Sequence, residues 1–207
     1  MGSGRYPFPG TDFSSFVLSA QTSKSDAVAL ATAGGDLQSA IKQANDFGLS
    51  RNQKLVAMLM SITDVHGVGL DVAQGMNFAE TFYWNMDDDT RAFARRFEKE
   101  MGKMPTALQA GQYSAVLNYL RAVEKAGSDN VKDVMEALHS MEINDLFARN
   151  ASLRPDGKLS HDYYLVQVKT PAESKEVWDY YNIVETVSGE DALLPLSESD
   201  CPLVAKG

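Results

Sequence analysis

Two short stretches of this chain hold residue types that can do chemistry. Thr63-Asp64-Val65-His66 puts a carboxylate two positions from an imidazole. Such a pair works in acyl transfer only with a nucleophile within hydrogen-bond reach of the base. Ser61 and Thr63 are the nearby hydroxyls, and nothing around them resembles the strained G-x-S-x-G elbow. The stretch therefore suits a turn that lines a pocket, or caps the next helix, better than it suits catalysis. No residue is assigned a catalytic role. Ala33-Gly34-Gly35-Asp36 is the second stretch, and its backbone N–H groups can cradle an anion at a helix start. It is not a G-x-G-x-x-G fingerprint, and no P-loop lysine follows. The same two glycines equally permit a tight strand-to-helix turn, with Asp36 as the helix cap.

The other candidates read more plainly. His66, His139 and His161 lie on separate segments with no metal-ligand spacing, and Cys201 is the single cysteine. No metal site, no intrachain disulfide and no cofactor is expected. Asp87-Asp88-Asp89 lacks the glycine and later glutamate of a calcium loop and reads as helix N-terminal charge. Phe82-Tyr83-Trp84 sits at a strand exit, where side chains alternate, so either one ring faces outward or into a cleft, or the three anchor the lobe boundary as hydrophobic contacts.

Alternating elements must position these groups. A weak strand is expected over Arg5–Phe8, then a helix opened by Asp12 with Phe13, Phe16, Val17 and Ala20 on one face. Val28–Ala31 is an apolar run expected of a strand covered on both faces. Leu37, Ala40, Ile41 and Ala44 form the stripe of the following helix, with Gly48 as its left-handed stop. Lys54–Met60 predicts a third strand, followed by a polar turn over Ser61–His66 and a short helix to about Gln74. Met76–Tyr83 predicts a fourth strand. This alternation indicates βαβ units and a parallel sheet with right-handed crossovers.

After Trp84 the pattern becomes helical: Asp88–Met101, a helix starting at Pro105 that carries Leu108, Val116, Tyr119, Leu120 and Val123, and Asn130–Met141 with Val131, Val134, Met135 and Leu138 inward. Leu153–Lys158 has hairpin turn chemistry, with His161–Lys169 as the second arm. The tail from Pro171 is expected to wrap over a surface, anchored by Trp178, Tyr180 and Tyr181.

The 207 residues are 44% hydrophobic and 23% charged, enough for a sizeable core. A net charge of −9 argues against nucleic acid as a partner, since phosphate binding needs a concentrated basic face. Arg91, Arg95 and Arg96 are accompanied by Glu98 and Glu100 and read as a solvated helix face. No apolar run approaches the roughly 18 residues needed to cross a bilayer, so no direct membrane insertion is expected. The start, MGSGRYPFPG, is not a secretory signal.

Several segments together carry a family resemblance: AxAGGDLQSAIKQANDFGL, TDVHGVGLDVAQGM, FYWNMDDDTRAFARRF, KMPTALQAGQYSAVLNYLRAVEKAG, RPDGKLSHDYYLVQVKTPAESKEVWDYY and the PLSES-x-CPLV tail. In this order and spacing the chain resembles an ABC-transporter substrate-binding protein of the branched-chain amino acid type, a type I periplasmic binding protein. The resemblance implies an α/β fold, a three-layer parallel sheet flanked by helices, in an incomplete two-lobed arrangement. It implies that GSGRYPFPGTDFSSFVLSAQ begins part-way through the second lobe, with the opening part of the first lobe and the first strand and helix of the second outside this sequence. Met1 then need not be the natural start, and the missing signal peptide says little about compartment. It implies a partial second lobe over 1–84, a helical segment packing on the first lobe over 85–145, and a hairpin, crossover and tail over 146–207.

The function it implies is that of a solute receptor delivering a small molecule to a membrane permease in the periplasm. The solute is an amino acid, an amide, or an aromatic or aliphatic carboxylate. The second-lobe pocket would fall on Thr32, Ala33, Gly34 and Gly35 after one strand, on Met60, Ser61 and Asp64 after the next, and on Tyr83. Branched-chain amino acid binders hold the ammonium group with an aromatic and an acidic side chain in these turns. Here Ala33-Gly34-Gly35 is smaller and more apolar, which favours a carboxylate whose clamp lies in the other lobe. An α/β enzyme using Asp64 and His66, and a ligand-sensing regulatory domain of the same fold, are the alternatives.

Overall fold

The computed structural model describes residues 2–149 and 151–204. In chain order it builds α1 (Ser14–Ser23), β1 (Ala27–Leu30), α2 (Gly34–Asp46), β2 (Lys54–Ala57), α3 (Ile62–Val68), α4 (Leu70–Ala73) and β3 (Asn77–Glu80). Then follow α5 (Asp88–Met101), α6 (Ala107–Ala126), α7 (Val131–Ser140), β4 (Ser152–Leu153), β5 (Leu159–Ser160), β6 (Tyr163–Val168), β7 (Tyr181–Val187) and α8 (Gly189–Ala192). The chain divides into two compact units, Met1–Glu80 with Leu165–Val184 and Thr81–Tyr164 with Glu185–Gly207. It therefore passes between units three times: after β3, within β6 and within β7.

The first unit is built on a five-stranded sheet of order β1-β2-β3-β6-β7. β1, β2 and β3 are parallel neighbours, as the alternating pattern predicts, with Ala27 opposite Lys54 and Val56 opposite Asn77. β6 runs the other way beside β3. Gly75 N–H donates to the Val168 carbonyl while Val168 N–H donates to Met76, so two residues oppose one. Gly75 has φ +79, which makes this a bulge with a left-handed glycine on an antiparallel pair. Lys169 N–H, just past β6, bonds the Tyr180 carbonyl just before β7, so these strands also reverse. The tail from Pro171 thus supplies a strand instead of wrapping over a surface. Trp178, Tyr180 and Tyr181 are buried, as expected of anchors.

Local departures from expectation have local reasons. Arg5–Phe8 forms no strand, and its backbone leads into a loop with a cis Phe8–Pro9 bond. β1 is exposed or half-buried along its length and not covered on both faces, because it lies at the sheet edge. α2 buries Leu37, Ala40, Ile41 and Ala44, the predicted stripe, and Gly48 takes φ +69 after it. Phe13 and Val17 of the α1 segment are buried in the same unit. Gln53 ties α1 to the sheet: its amide donates to the carbonyls of Ala20 and Ser25. Ser61–His66 is not a turn: α3 begins at Ile62, since Ser61 caps it.

In the second unit, α5 spans Asp88–Met101 as expected, and Asp87 caps it by accepting from Thr90 N–H. α6 starts two residues after Pro105, where Thr106 and Gln109 form a capping box. α6 packs on α7 through Ala122, Val134 and Ala137. Its buried stripe is Ala110, Ser114, Asn118 and Ala122, whereas Leu108, Val116, Tyr119 and Leu120 are exposed. Val131 and Met135 of α7 are likewise exposed. A buried carboxylate draws in the polar stripe of α6: Asp145 accepts from Ser114 Oγ at 2.7 Å and Asn118 Nδ2 at 2.6 Å. The hairpin forms between β4 and β5, with Gly157 at φ +78 in its turn. The arm expected over His161–Lys169 belongs instead to the main sheet as β6.

Candidate functional site

In the first unit the carboxyl ends of β1 and β2 lie side by side, because Leu30 registers with Ala57. In parallel sheets the space beyond such strand ends is where ligands bind. Here it is a concavity of about 510 Å³. Ala31, Thr32 and Ala33 line it from the end of β1, and Met58 and Leu59 from the end of β2. Tyr6 and Phe8 close it from the amino-terminal loop, with the Tyr6 hydroxyl hydrogen-bonded to Thr32 Oγ1. None of the lining residues carries a charge. Phe8, Met58 and Leu59 are 80%, 67% and 64% exposed, which is a large apolar area for one strand-end surface.

The start of α2 borders this wall. Ala33 is the N-cap residue in extended conformation, Gly34 enters the helix at φ +58, and no side chain caps the first turn. Asp36 is not the cap expected of it. It lies inside the first turn, and its Oδ2 accepts from Gly10 N–H at 2.9 Å, tying down the amino-terminal loop. A Cβ at Gly34 or Gly35 would meet nothing within 4 Å, so the glycines leave open space. The first-turn N–H groups and the positive helix end thus adjoin an uncharged apolar surface.

The other expected positions fall elsewhere. Met60 is buried, and Ser61 is the N-cap of α3, its hydroxyl 2.7 Å from Asp64 Oδ2. Asp64 completes that capping box by accepting Ser61 N–H at 3.0 Å, and its Oδ1 accepts from Gln38 Nε2 at 3.0 Å. His66 turns to other partners, with Nδ1 2.8 Å from the Tyr180 hydroxyl and its ring stacked 4.0 Å from Trp178. The residues that suggested a catalytic pair are therefore engaged separately, one in a cap and one in an aromatic stack. Tyr83 belongs to the second unit, where Phe82, Tyr83 and Trp84 are all buried. The alternation argument fails for them because β3 ends at Glu80 and the three rings follow it in non-strand backbone. Tyr6, Phe8, Met58 and Leu59 were not expected in the site. Exposed apolar residues at the end of a buried-strand pattern were the signal available for the last two.

In the second unit, burial favours the neutral form of His161 and holds its pKa below the usual histidine range, although Asp162 and Asp145 lie near. Among the described residues no group of three or more metal-ligating side chains occurs, and no helix is long and apolar enough to cross a membrane.

A periplasmic binding protein family model matches residues 1–175. The chain belongs to the periplasmic binding protein family. It is similar to a periplasmic binding protein from Burkholderia mallei, at 47% identity and a TM-score of 0.92 over 97% of this chain and 53% of that one. It is also similar to a branched-chain amino acid ABC transporter periplasmic ligand-binding protein from Burkholderia xenovorans, at 46% identity and TM-score 0.89, covering 99% of this chain and 55% of that one. An ABC-transporter solute-binding protein from Rhodopseudomonas palustris, solved with 3,4-dihydroxybenzoic acid, shares the fold at 20% identity and TM-score 0.73, over 86% and 49%. This member of the family spans about half the length of these relatives. No curated protein matches it.

Proposed function

We propose that this chain supplies one wall of a solute-binding cleft in a receptor that serves an ABC importer in the periplasm. The receptor hands its solute to a membrane permease and does no chemistry on it. The observation that carries this reading is the uncharged concavity at the ends of β1 and β2, set beside the uncapped start of α2. Thr32, Ala33, Gly34 and Gly35 are the residues of this wall in closest sequence to the helix start. Met60 follows β2 as a core residue, and Ser61 and Asp64 form the cap of α3.

The wall also bears on the solute. The lining itself offers an ammonium group no carboxylate, since Asp64 sits in the α3 cap and Asp36 lies within the first turn of α2 bonded to Gly10. An apolar body ending in a carbonyl or carboxylate oxygen fits better: its body would cover Met58 and Leu59, and its oxygen would accept from first-turn N–H groups. Aromatic and aliphatic carboxylates are therefore favoured over amides, and amides over amino acids. The test is a thermal-shift screen of the full-length gene product against these three classes, repeated with Ala33→Trp, which fills the concavity. Apolar carboxylates should raise Tm saturably, following RT ln(1 + [L]/Kd), and the variant should lose the response. A rise with amino acids alone, or a response that Ala33→Trp leaves intact, would overturn the reading.

A further inference from the structure

The second unit holds a concavity of its own, of about 370 Å³. α5 contributes Phe93 and Arg96 to it, α6 contributes Tyr113, Leu117 and Arg121, and the segment after α7 adds Arg149. On each helix the contributing residues follow the three-to-four-residue spacing of a single stripe. Phe93 and Tyr113 form its aromatic floor, with ring centroids 5.0 Å apart.

The charges around this floor are not balanced. Arg149 is held by Asp87 at 2.8 Å and Asp89 at 3.3 Å. Asp145 also borders the space, but its oxygens already accept from Ser114, Asn118 and the N–H groups of Phe147 and Ala148. Arg121 reaches only Asn118 Oδ1, at 3.4 Å. Arg96 makes no ion pair among the described residues. The two acids of the lining, Asp89 and Asp145, are bonded to Arg149 and to Ser114, Asn118, Phe147 and Ala148, and neither forms an ion pair with Arg96 or Arg121. A concave surface with low-dielectric walls focuses such a field on whatever enters it.

We propose that this concavity binds an organic monoanion with a flat apolar body, independently of the wall at α2. The body lies on Phe93, Tyr113 and Leu117, and the carboxylate is taken by Arg96 and Arg121, whose planar forks match carboxylate geometry. An inorganic anion would gain the guanidinium contacts but leave the aromatic floor in water. A neutral ring would cover the floor and leave the arginines unmatched. The site therefore asks for both features in one molecule.

Benzoate is the probe, titrated into the 207-residue chain and followed by amide NMR, with inorganic phosphate and benzyl alcohol as controls. Saturable shifts on α5 and α6 are expected, with each control at least about tenfold weaker. The double variant Arg96→Gln/Arg121→Gln should weaken benzoate by about tenfold or more, as expected on losing two charge-assisted bonds. Arg121→Lys, which keeps the charge and loses the fork, should fall between. Added salt should weaken binding. Ala33→Trp should leave the α5 and α6 shifts unchanged. Shifts confined to α2 and β2 would sink this site while leaving the α2 wall standing. Equal binding of phosphate, or an undiminished affinity in the folded double variant, would also overturn it.

Discussion

Replacing Asp64 separates a capping role from a chemical one. Asp64 is 7% exposed and accepts three hydrogen bonds, from Ser61 N–H, Ser61 Oγ and Gln38 Nε2. Asp64→Ala removes the acceptor for all three. Loss of the capping box costs about 1 kcal/mol. The Gln38 bond adds about 1 kcal/mol, with a further part for donors left unpaired in a half-buried place. The sum is about 2–3 kcal/mol, which is large against a marginal total stability. It should appear as a loss for the whole unit and not as local fraying, because α3 carries Ile62, Val65 and Val68 into the core. Asp64→Asn keeps the size and one acceptor, so about 1 kcal/mol is expected. Urea unfolding read by tryptophan fluorescence is the assay. Trp178 stacks on His66 of the same helix and so reports on α3 directly. An Asp64→Ala midpoint within about 0.5 kcal/mol of the parent would refute the capping argument. A stable variant that had lost its ligand response would place Asp64 against the solute instead.

Other substitutions test other parts of the fold. Gly34→Ala should cost about 1–2 kcal/mol in thermal melts, since φ is +58 and no packing resists the new methyl. Gly35→Ala, with equal space and no positive φ, should be neutral or slightly stabilising. Gly189→Ala should destabilise the second unit by about 1–3 kcal/mol in urea, because its Cβ would lie 2.6 Å from the His161 backbone nitrogen. Burial alone would raise the Asp145 pKa, but hydrogen bonds from Ala148, Ser114, Phe147 and Asn118 outweigh it and hold the carboxyl below its ordinary 3.8. The unfolded chain therefore binds this proton first as pH falls. The contribution of Asp145 is complete above about pH 4 and is lost as pH drops through the lower folded value. Unfolding midpoints measured from pH 6 downward should show a shallower acid limb in Asp145→Asn than in the parent.

Local pattern was enough for much of the architecture. The stripe Leu37, Ala40, Ile41 and Ala44 has no alternative burial as a helix, and α2 buries those four side chains. The acidic start of α5 and the Asn130 start of α7 likewise follow from capping chemistry readable within four residues. The strand-end position of the Ala33-Gly34-Gly35 turn follows from β–turn–α order alone. The failures were all matters of partnership. α6 shows large apolar residues that any sequence reading turns inward, yet Asp145, 27 residues beyond Asn118, draws the small polar stripe in instead. β1 reads as a covered strand, but exposure depends on its edge place in the sheet.

By its sequence this protein is an α/β chain of βα units with a glycine turn at Ala33-Gly34-Gly35 between a strand and a helix, because residue spacing and turn chemistry act over a few positions. Only the tertiary structure decided what surrounds that turn. It brought Tyr6 and Phe8 against Thr32 across a loop, bonded Asp36 to Gly10 and Asp64 to Gln38, and left only uncharged residues lining the concavity. Hydrogen bonds between residues about 26 positions apart have no signature in local periodicity, and they determine which side chains come to border the strand ends.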